Sequence, residues 1–292
     1  FPIIFIINIP FIFYWIFRKQ KIFILSFSAV LISYFTFGSF FRFGTSNVYP
    51  DDKDLSILTY NTREFSFKGR TKGELTRNKI INFIIEKDPD IICFQEVNRI
   101  GLAQLKNYPF KYITPFTSGK STQAIFSKYP IVGNGSLEFP DTANNALYAD
   151  IKYKGDTIRI YNLHLQSYQI IPSRVRNVKR ALRAYNKMRK TFLKQEEQVQ
   201  IFNNHRKESP LRQIVCSDFN NTPFSNVYRI AKGNMQDTFD EKGTGFGKTF
   251  DLKIVPFRID FILADKTMQV MTHQNFDLKL SDHYPVLTSI RL

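Results

Sequence analysis

Carboxylates, amides and imidazoles recur in this sequence where short apolar runs end. Asn61 closes the run 55–60, and Gln95 and Glu96 close 91–94. Asn162 and His164 lie within Ile160-Tyr161-Asn162-Leu163-His164-Leu165. Asp218 and Asn220 follow 214–217, Asp260 sits in Arg258-Ile259-Asp260-Phe261-Ile262-Leu263, and Asp282-His283 precedes Tyr284-Pro285-Val286. A glutamate such as Glu96 offers the hard oxygen that Mg²⁺ accepts, since that ion takes one or two protein carboxylates and keeps its waters. Histidine supplies proton transfer near neutral pH. Taken singly, an Asp or Asn at a strand end is turn chemistry, and a lone strand histidine is ordinarily structural. The set weighs differently, because it holds two of only four histidines and layered α/β folds build their sites at strand ends. The two cysteines, Cys93 and Cys216, belong to no CxxC or Cys/His cluster, so a zinc site is not indicated. Each sits in an apolar run and reads as a buried strand thiol.

The elements that must hold these residues alternate between strand and helix. Residues 55–61 alternate as a strand, and 74–86 carry Leu75, Ile80, Phe83 and Ile84 at near-helical spacing before Asp88-Pro89-Asp90 breaks the helix. Residues 91–94 are a continuous apolar strand, as expected where both faces are buried. Further strands are expected at 111–114, 123–127, 146–153, 157–165, 212–216, 258–263 and 285–292, with a Gly155-Asp156 hairpin turn and a long helix over about 173–205. The mixture predicts an α/β layered domain in which helices cover sheet.

The first fifty residues are different. Residues 1–49 contain no Asp or Glu, and two apolar stretches, 1–17 and 22–41, flank Arg18-Lys19-Gln20-Lys21. Residues 1–42 are expected to form a membrane anchor, a helical hairpin cut short at its N-terminal side, with 22–41 as the span. Residues 43–53 read as a polar linker, and 54–292 as the catalytic domain. The positive turn favours the cytoplasmic side, which would put the domain outside the cytoplasm. The chain's net charge is +16, and only four of its cations precede residue 50. The basicity therefore belongs mainly to the domain, and suits a polyanionic substrate or an anionic lipid surface.

Thr59-Tyr60-Asn61, Gln95-Glu96, Asn162-Leu163-His164-Leu165, Ser217-Asp218-Phe219-Asn220, Arg258-Ile259-Asp260 and Ser281-Asp282-His283-Tyr284-Pro285 resemble, in order, the signature motifs of the endonuclease/exonuclease/phosphatase superfamily. The final motif and Ser217–Asn220 are the most specific. Ser217 stands where the family commonly has glycine. The resemblance implies a DNase I-like fold, a two-sheet, four-layer α/β sandwich, here preceded by N-terminal transmembrane helices. It implies a hydrolase of phosphoester bonds that uses Mg²⁺, with Mn²⁺ as a substitute. Glu96 would be the main metal ligand, with Asn61 beside it and Asp282 supplementing. His283 would be the general base or a phosphate contact, oriented by Asp260. Asp218 and Asn220 would position the attacking water and hold the phosphate, and His164 would donate to a phosphate oxygen or help the leaving group. The resemblance leaves open whether His283 or Asp218 takes the water's proton.

From 157 to 195 there is no acidic residue, while Arg174, Arg176, Lys179, Arg180, Arg183, Lys187, Arg189, Lys190 and Lys194 all fall there. Positions 176, 180, 183, 187 and 190 share one helical face. Arg176, Arg180 and Arg183 are the expected substrate contacts, whether to nucleic-acid phosphate or to lipid headgroups. The substrate is a nucleic acid, a small phosphate ester or, in a sphingomyelinase-like alternative, a phospholipid. A catalytically inactive membrane-tethered binding module is the rival from another class. No protein partner is indicated.

Overall fold

A computed structural model describes residues 2–37, 41–44, 54–65, 73–116, 119–170, 177–252 and 255–292. The chain forms two compact units, Phe1–Phe43 and Gly44–Leu292. In the first, helices α1 (Pro2–Phe17) and α2 (Phe23–Phe37) pack together across the Arg18–Lys21 turn. They contain 16 and 15 residues, so at a rise of 1.5 Å each measures roughly 22–24 Å, against a hydrocarbon core of about 30 Å. Among the described residues no helix is long and apolar enough to cross a membrane. The expected span over 22–41 is not supported by this: the described helix runs Phe23–Phe37, and residues 38–40 lie outside the described set. Most of the expected linker, 45–53, also lies outside it.

The second unit is built on two six-stranded sheets. The first contains β1 (Leu55–Asn61), β2 (Ile91–Gln95), β3 (Phe110–Ile113), β4 (Ala124–Ser127), β13 (Gln269–Asn275) and β14 (Val286–Arg291), in the order β13-β14-β1-β2-β4-β3. The second contains β5 (Ile131–Glu138), β6 (Asn145–Tyr153), β7 (Asp156–His164), β8 (Arg212–Asp218), β9 (Gln236–Asp237) and β12 (Asp260–Ala264), in the order β5-β6-β7-β8-β12-β9. A separate ribbon pairs β10 (Phe250–Leu252) with β11 (Val255–Phe257). In each six-stranded sheet one central pair is parallel, β1 with β2 and β7 with β8; the other pairs are antiparallel.

Strand periodicity explains the layering. Side chains alternate between the faces of a strand, so Leu55 and Ile57 of β1, Ile91 and Cys93 of β2, Ile158 and Ile160 of β7, Ile214 and Cys216 of β8, and Ile262 of β12 face one another in a core between the sheets. The alternate residues face outward. Leu58, Tyr60, Ile92 and Phe94 pack on Ile80 and Ile84 of α3 (Gly73–Lys87). Tyr161, Leu163, Val215 and Phe261 pack on Val199 and Phe202 of α4 (Val178–Glu208) and Val227 of α5 (Asn226–Lys232). A short α6 (Thr238–Lys242) follows β9. The result is the four-layer α/β sandwich expected. Strand β12 starts at Asp260, two residues later than the apolar pattern predicts, because the amides of Ile259 and Asp260 donate to Thr249 Oγ1 instead of entering the ladder.

Candidate active site

The same period-2 alternation assembles the site. On β1, β7, β8 and β12 the polar residue at the strand end falls on the inner face, two positions from the nearest apolar core residue on β8 and β12 and four on β1 and β7, where Thr59 and Asn162 intervene. Asn61, His164 and Asp218 end their strands and Asp260 begins an antiparallel one. Register then aligns them: His164 pairs with Asp218, and Asp260 pairs with Asp218 from the other side. Sheet stacking brings Asn61 across the sandwich, where its Nδ2 donates to Asp218 Oδ2 at 2.9 Å. One layer deeper, Gln95 Nε2 donates to Asn162 Oδ1 at 2.7 Å and to Thr59 Oγ1 at 3.0 Å. Gln95 and Asn162, both drawn from motifs, thus brace the two sheets beneath the site.

His283 Nδ1 lies 3.0 Å from both carboxylate oxygens of Asp260. Its Nε2 is 3.7 Å from Asp218 Oδ2. His164 Nε2 is 3.7 Å from the same Asp218 oxygen and 3.5 Å from Glu96 Oε1. Neither ring nitrogen of this buried imidazole makes a hydrogen bond in the structure. Asn220 holds the loop after β8: its backbone N–H donates to Asp218 Oδ1 at 2.8 Å and its Nδ2 to the Leu165 carbonyl at 2.9 Å. Glu96 and Asn220 both adopt left-handed backbone conformations, φ 45° and 49°, a region that costs side-chain-bearing residues energy and recurs at functional sites. Glu96, Asn220, Asp282 and His283 open onto one cleft of about 760 Å³. The rest of its lining is largely apolar, including Phe250, Leu252 and Phe257 from the β10–β11 ribbon and Met188 from α4.

Burial drives the electrostatics. The Asp218 carboxyl is pushed up to about 6, first by desolvation and further by Asp260, although His283, His164 and the Asn61 amide pull it down. For His283, burial alone would lower the value, but the Asp260 and Asp218 carboxylates overcome it and raise it to about 10. A buried imidazolium clasped by Asp260 thus sits beside a carboxylate that titrates near neutrality. Such divergent environments mark sites of acid–base chemistry.

Two donor sets bear on a metal. Asp218, Asp260 and His283 form the only group of three or more potential ligands among the described residues whose donor atoms lie within 4.8 Å of one another. His283 already bonds Asp260 through Nδ1, however, and cannot be both imidazolium and ligand. The hard-oxygen alternative is Glu96, its side chain about one-third exposed in the cleft. Beside it, Asn61 Nδ2 lies 3.4 Å from Glu96 Oε1, and its Oδ1 accepts from the Arg63 amide while keeping a second lone pair. That set fits a Mg²⁺-like ion, which needs few protein ligands. Asp282 takes another partner: its Oδ2 receives Arg63 Nη1 at 2.8 Å.

All eight polar positions from the motifs therefore meet at one end of the sandwich. Of the three arginines expected to bind substrate, Arg176 lies outside the described residues. Arg180 and Arg183 are exposed on α4 and are not among the cleft-lining residues. The sequence reading missed Thr249 and Phe250. Thr249 Oγ1 accepts both the Ile259 and Asp260 amides, and its carbonyl accepts from Tyr284 N. Phe250 packs edge-on against the His283 ring, with centroids 4.9 Å apart. A Thr-Phe pair in a weakly apolar stretch carries no pattern that would announce either role.

The chain matches the model of the Endonuclease/Exonuclease/phosphatase family over residues 58–283. Among solved structures it is similar to the Bacteroides thetaiotaomicron VPI-5482 mannosyl-6-phosphatase, at 18% identity and TM-score 0.61, over 82% of this chain and 100% of that one. D. rerio TDP2 complexed with single-strand DNA product gives 17% identity and TM-score 0.62, over 82% and 100%. The human Nocturnin catalytic domain with bound sulfate gives 18% and 0.61, over 84% and 96%. At these identities the likeness is one of fold. No curated protein matches the chain.

Proposed function

Since the chain belongs to the Endonuclease/Exonuclease/phosphatase family, whose members hydrolyse phosphoester bonds, we propose that it is a divalent-metal-dependent phosphoesterase in which Asp218 activates the attacking water. The observation that carries this reading is the divergence of two neighbouring buried groups, Asp218 raised to about 6 and His283 raised to about 10. A carboxylate titrating near neutrality is matched to general-base work. The water's proton passes to Asp218 Oδ2 as its oxygen adds to phosphorus and the ester P–O bond breaks. His283, kept cationic by Asp260, donates through Nε2 to a phosphoryl oxygen and offsets charge that grows there. Asp260 holds that ring in one orientation. His164, buried and short of a partner, supplies a donor to a second phosphoryl or departing oxygen. Asn220 fixes the Asp218 carboxylate through its backbone amide.

Mg²⁺, or Mn²⁺ in its place, would be held by Glu96 with Asn61, and when bound it neutralises charge on the phosphoryl oxygens. Arg63 on Asp282 brings a cation to the cleft wall and is a natural anion contact. The similar structures, a mannosyl-6-phosphatase and a TDP2 complexed with single-strand DNA product, support phosphoesters as the class. The test is turnover of bis-p-nitrophenyl phosphate with Mg²⁺ and with chelator. Activity is expected only with metal, and Glu96→Gln is expected to raise the Mg²⁺ concentration for half-maximal rate by at least ~10-fold, since even residues one shell outside a metal cost that much. Full activity in chelator, or a Glu96→Gln protein indistinguishable from the parent, would remove the metal from the reading.

A further inference from the structure

The first half of α4 packs little against the domain it belongs to, which it meets where Lys187 Nζ donates to the Gln169 carbonyl and Met188 lines the cleft. Every residue from 178 to 190 is exposed except the half-buried Ala184, and packing onto the body starts at Thr191 and continues through Gln195, Gln198, Val199 and Phe202. These thirteen or so residues project about 20 Å at 1.5 Å each. At 3.6 residues per turn, Val178, Leu182, Tyr185 and Met188 gather on one face, and they are 77%, 59%, 64% and 48% exposed. The opposite face carries Lys179, Arg183, Lys187 and Lys190, while Arg189 ends the apolar stripe one turn beyond Tyr185, and no acidic residue occurs anywhere from 157 to 195. A helix of this length with so little tertiary packing is marginal in water, so its apolar face asks for a cover.

We propose that this projecting half of α4 is an interfacial helix that lies on an anionic lipid surface. Cationic residues opposite an aliphatic and aromatic stripe, on a helix lying in the plane of the interface, are the signature of such binding, and the one-signed charge complements acidic headgroups. A nucleic acid would satisfy the cations but leave Val178 and Leu182 in water, since base stacking needs aromatic faces and the stripe has only Tyr185. Met188 belongs both to this face and to the lining of the cleft. A docked helix would therefore bring the cleft's rim to headgroup level, and it does so whatever reaction the cleft performs.

The test is local amide hydrogen exchange in the full chain, read over 178–190, with vesicles of phosphatidylcholine alone and of phosphatidylcholine with phosphatidylglycerol. Exchange over 178–190 is expected to slow at least ~10-fold with the anionic vesicles and to stay unchanged with the neutral ones, because docking adds protection to a segment that otherwise opens locally. Added salt should weaken the effect, and the double variant Leu182→Glu/Tyr185→Glu should abolish it while hydrolysing a soluble phosphoester at the parental rate. Equal protection in neutral vesicles would mean that apolar cover alone suffices. That result, equal protection by duplex DNA, or full protection in the double variant would each overturn the proposal. A chain that proved inactive on phosphoesters would leave the exchange result standing.

Discussion

Asp218 and His283 divide the work by environment. Both are buried, yet one titrates near 6 and the other near 10, because His283 gains two carboxylate neighbours and Asp218 loses its solvent. The sign for activity follows. Asp218 accepts a proton only as the carboxylate, so the rate rises as pH passes through about 6. The cationic His283 lowers the Asp218 value, so its removal should move that acid limb to higher pH. We expect Asp218→Asn and His283→Gln each to lower kcat by on the order of 100-fold or more, as for other acid–base groups. The residual activity of His283→Gln should show an acid limb displaced upward. A pH–rate profile with an unmoved limb would assign the titration to a different group.

At the scale of elements, the site depends on segments that contribute no chemistry. Thr249 precedes β10 and holds the start of β12 through two amides. Replacing it with valine leaves two buried donors unpaired, at about 1–3 kcal/mol each, and loosens Asp260 behind His283. Thr249→Val is expected to lower both the melting temperature and kcat with KM little changed, and Thr249→Ser to restore both. On β13, burial holds His273 down at about 4, against an ordinary 6.5, with Arg258 adding to it and Asp237 opposing. Its Nδ1 meets the Thr238 hydroxyl at 2.8 Å, and since that hydroxyl donates to the Ile262 carbonyl, Nδ1 carries the proton. Nε2 then must accept; turning the Asn275 amide, whose Nδ2 is otherwise buried without a partner, provides the donor. A value depressed in the fold means stability complete above pH 6.5 and lost as pH falls toward 4, amounting to roughly 3 kcal/mol for a group this buried. Denaturant midpoints measured across that window should fall for the parent and fall less for His273→Phe, whose ring fills the same place without titrating.

For the whole sandwich, the inter-sheet core joins the two sheets at their least accessible point. Cys93 of β2 and Cys216 of β8 are both free, fully buried members of that core. Burial pushes the Cys93 thiol well up, and Cys216 beside it adds to the effect. A thiol held protonated and out of solvent is inert, so neither cysteine should be alkylated by iodoacetamide in the native protein, and both should be after denaturation. Modification of the native protein at a rate independent of denaturant would show that the sheets part locally without global unfolding.

Much of this molecule is written in local pattern. Period-2 alternation in 55–61, 157–165 and 212–216 sets which side chains face the core, so the same strands also set which face Asn61, His164 and Asp218 occupy. The ordered motifs were enough to identify the family and the eight polar residues that meet. Strands β5 and β13 escaped notice because they lie toward sheet edges, half exposed, where polar residues interrupt the alternation. What the sequence could not reveal depends on residues far apart in the chain. The Asn61–Asp218 hydrogen bond spans 157 positions, and the Arg63–Asp282 pair spans 219. Thr249 and Phe250 matter only because a loop crosses behind His283. How much of a basic helix lies buried on its domain is decided by where its close packing begins, at Thr191, which depends on what the rest of the chain places beneath it.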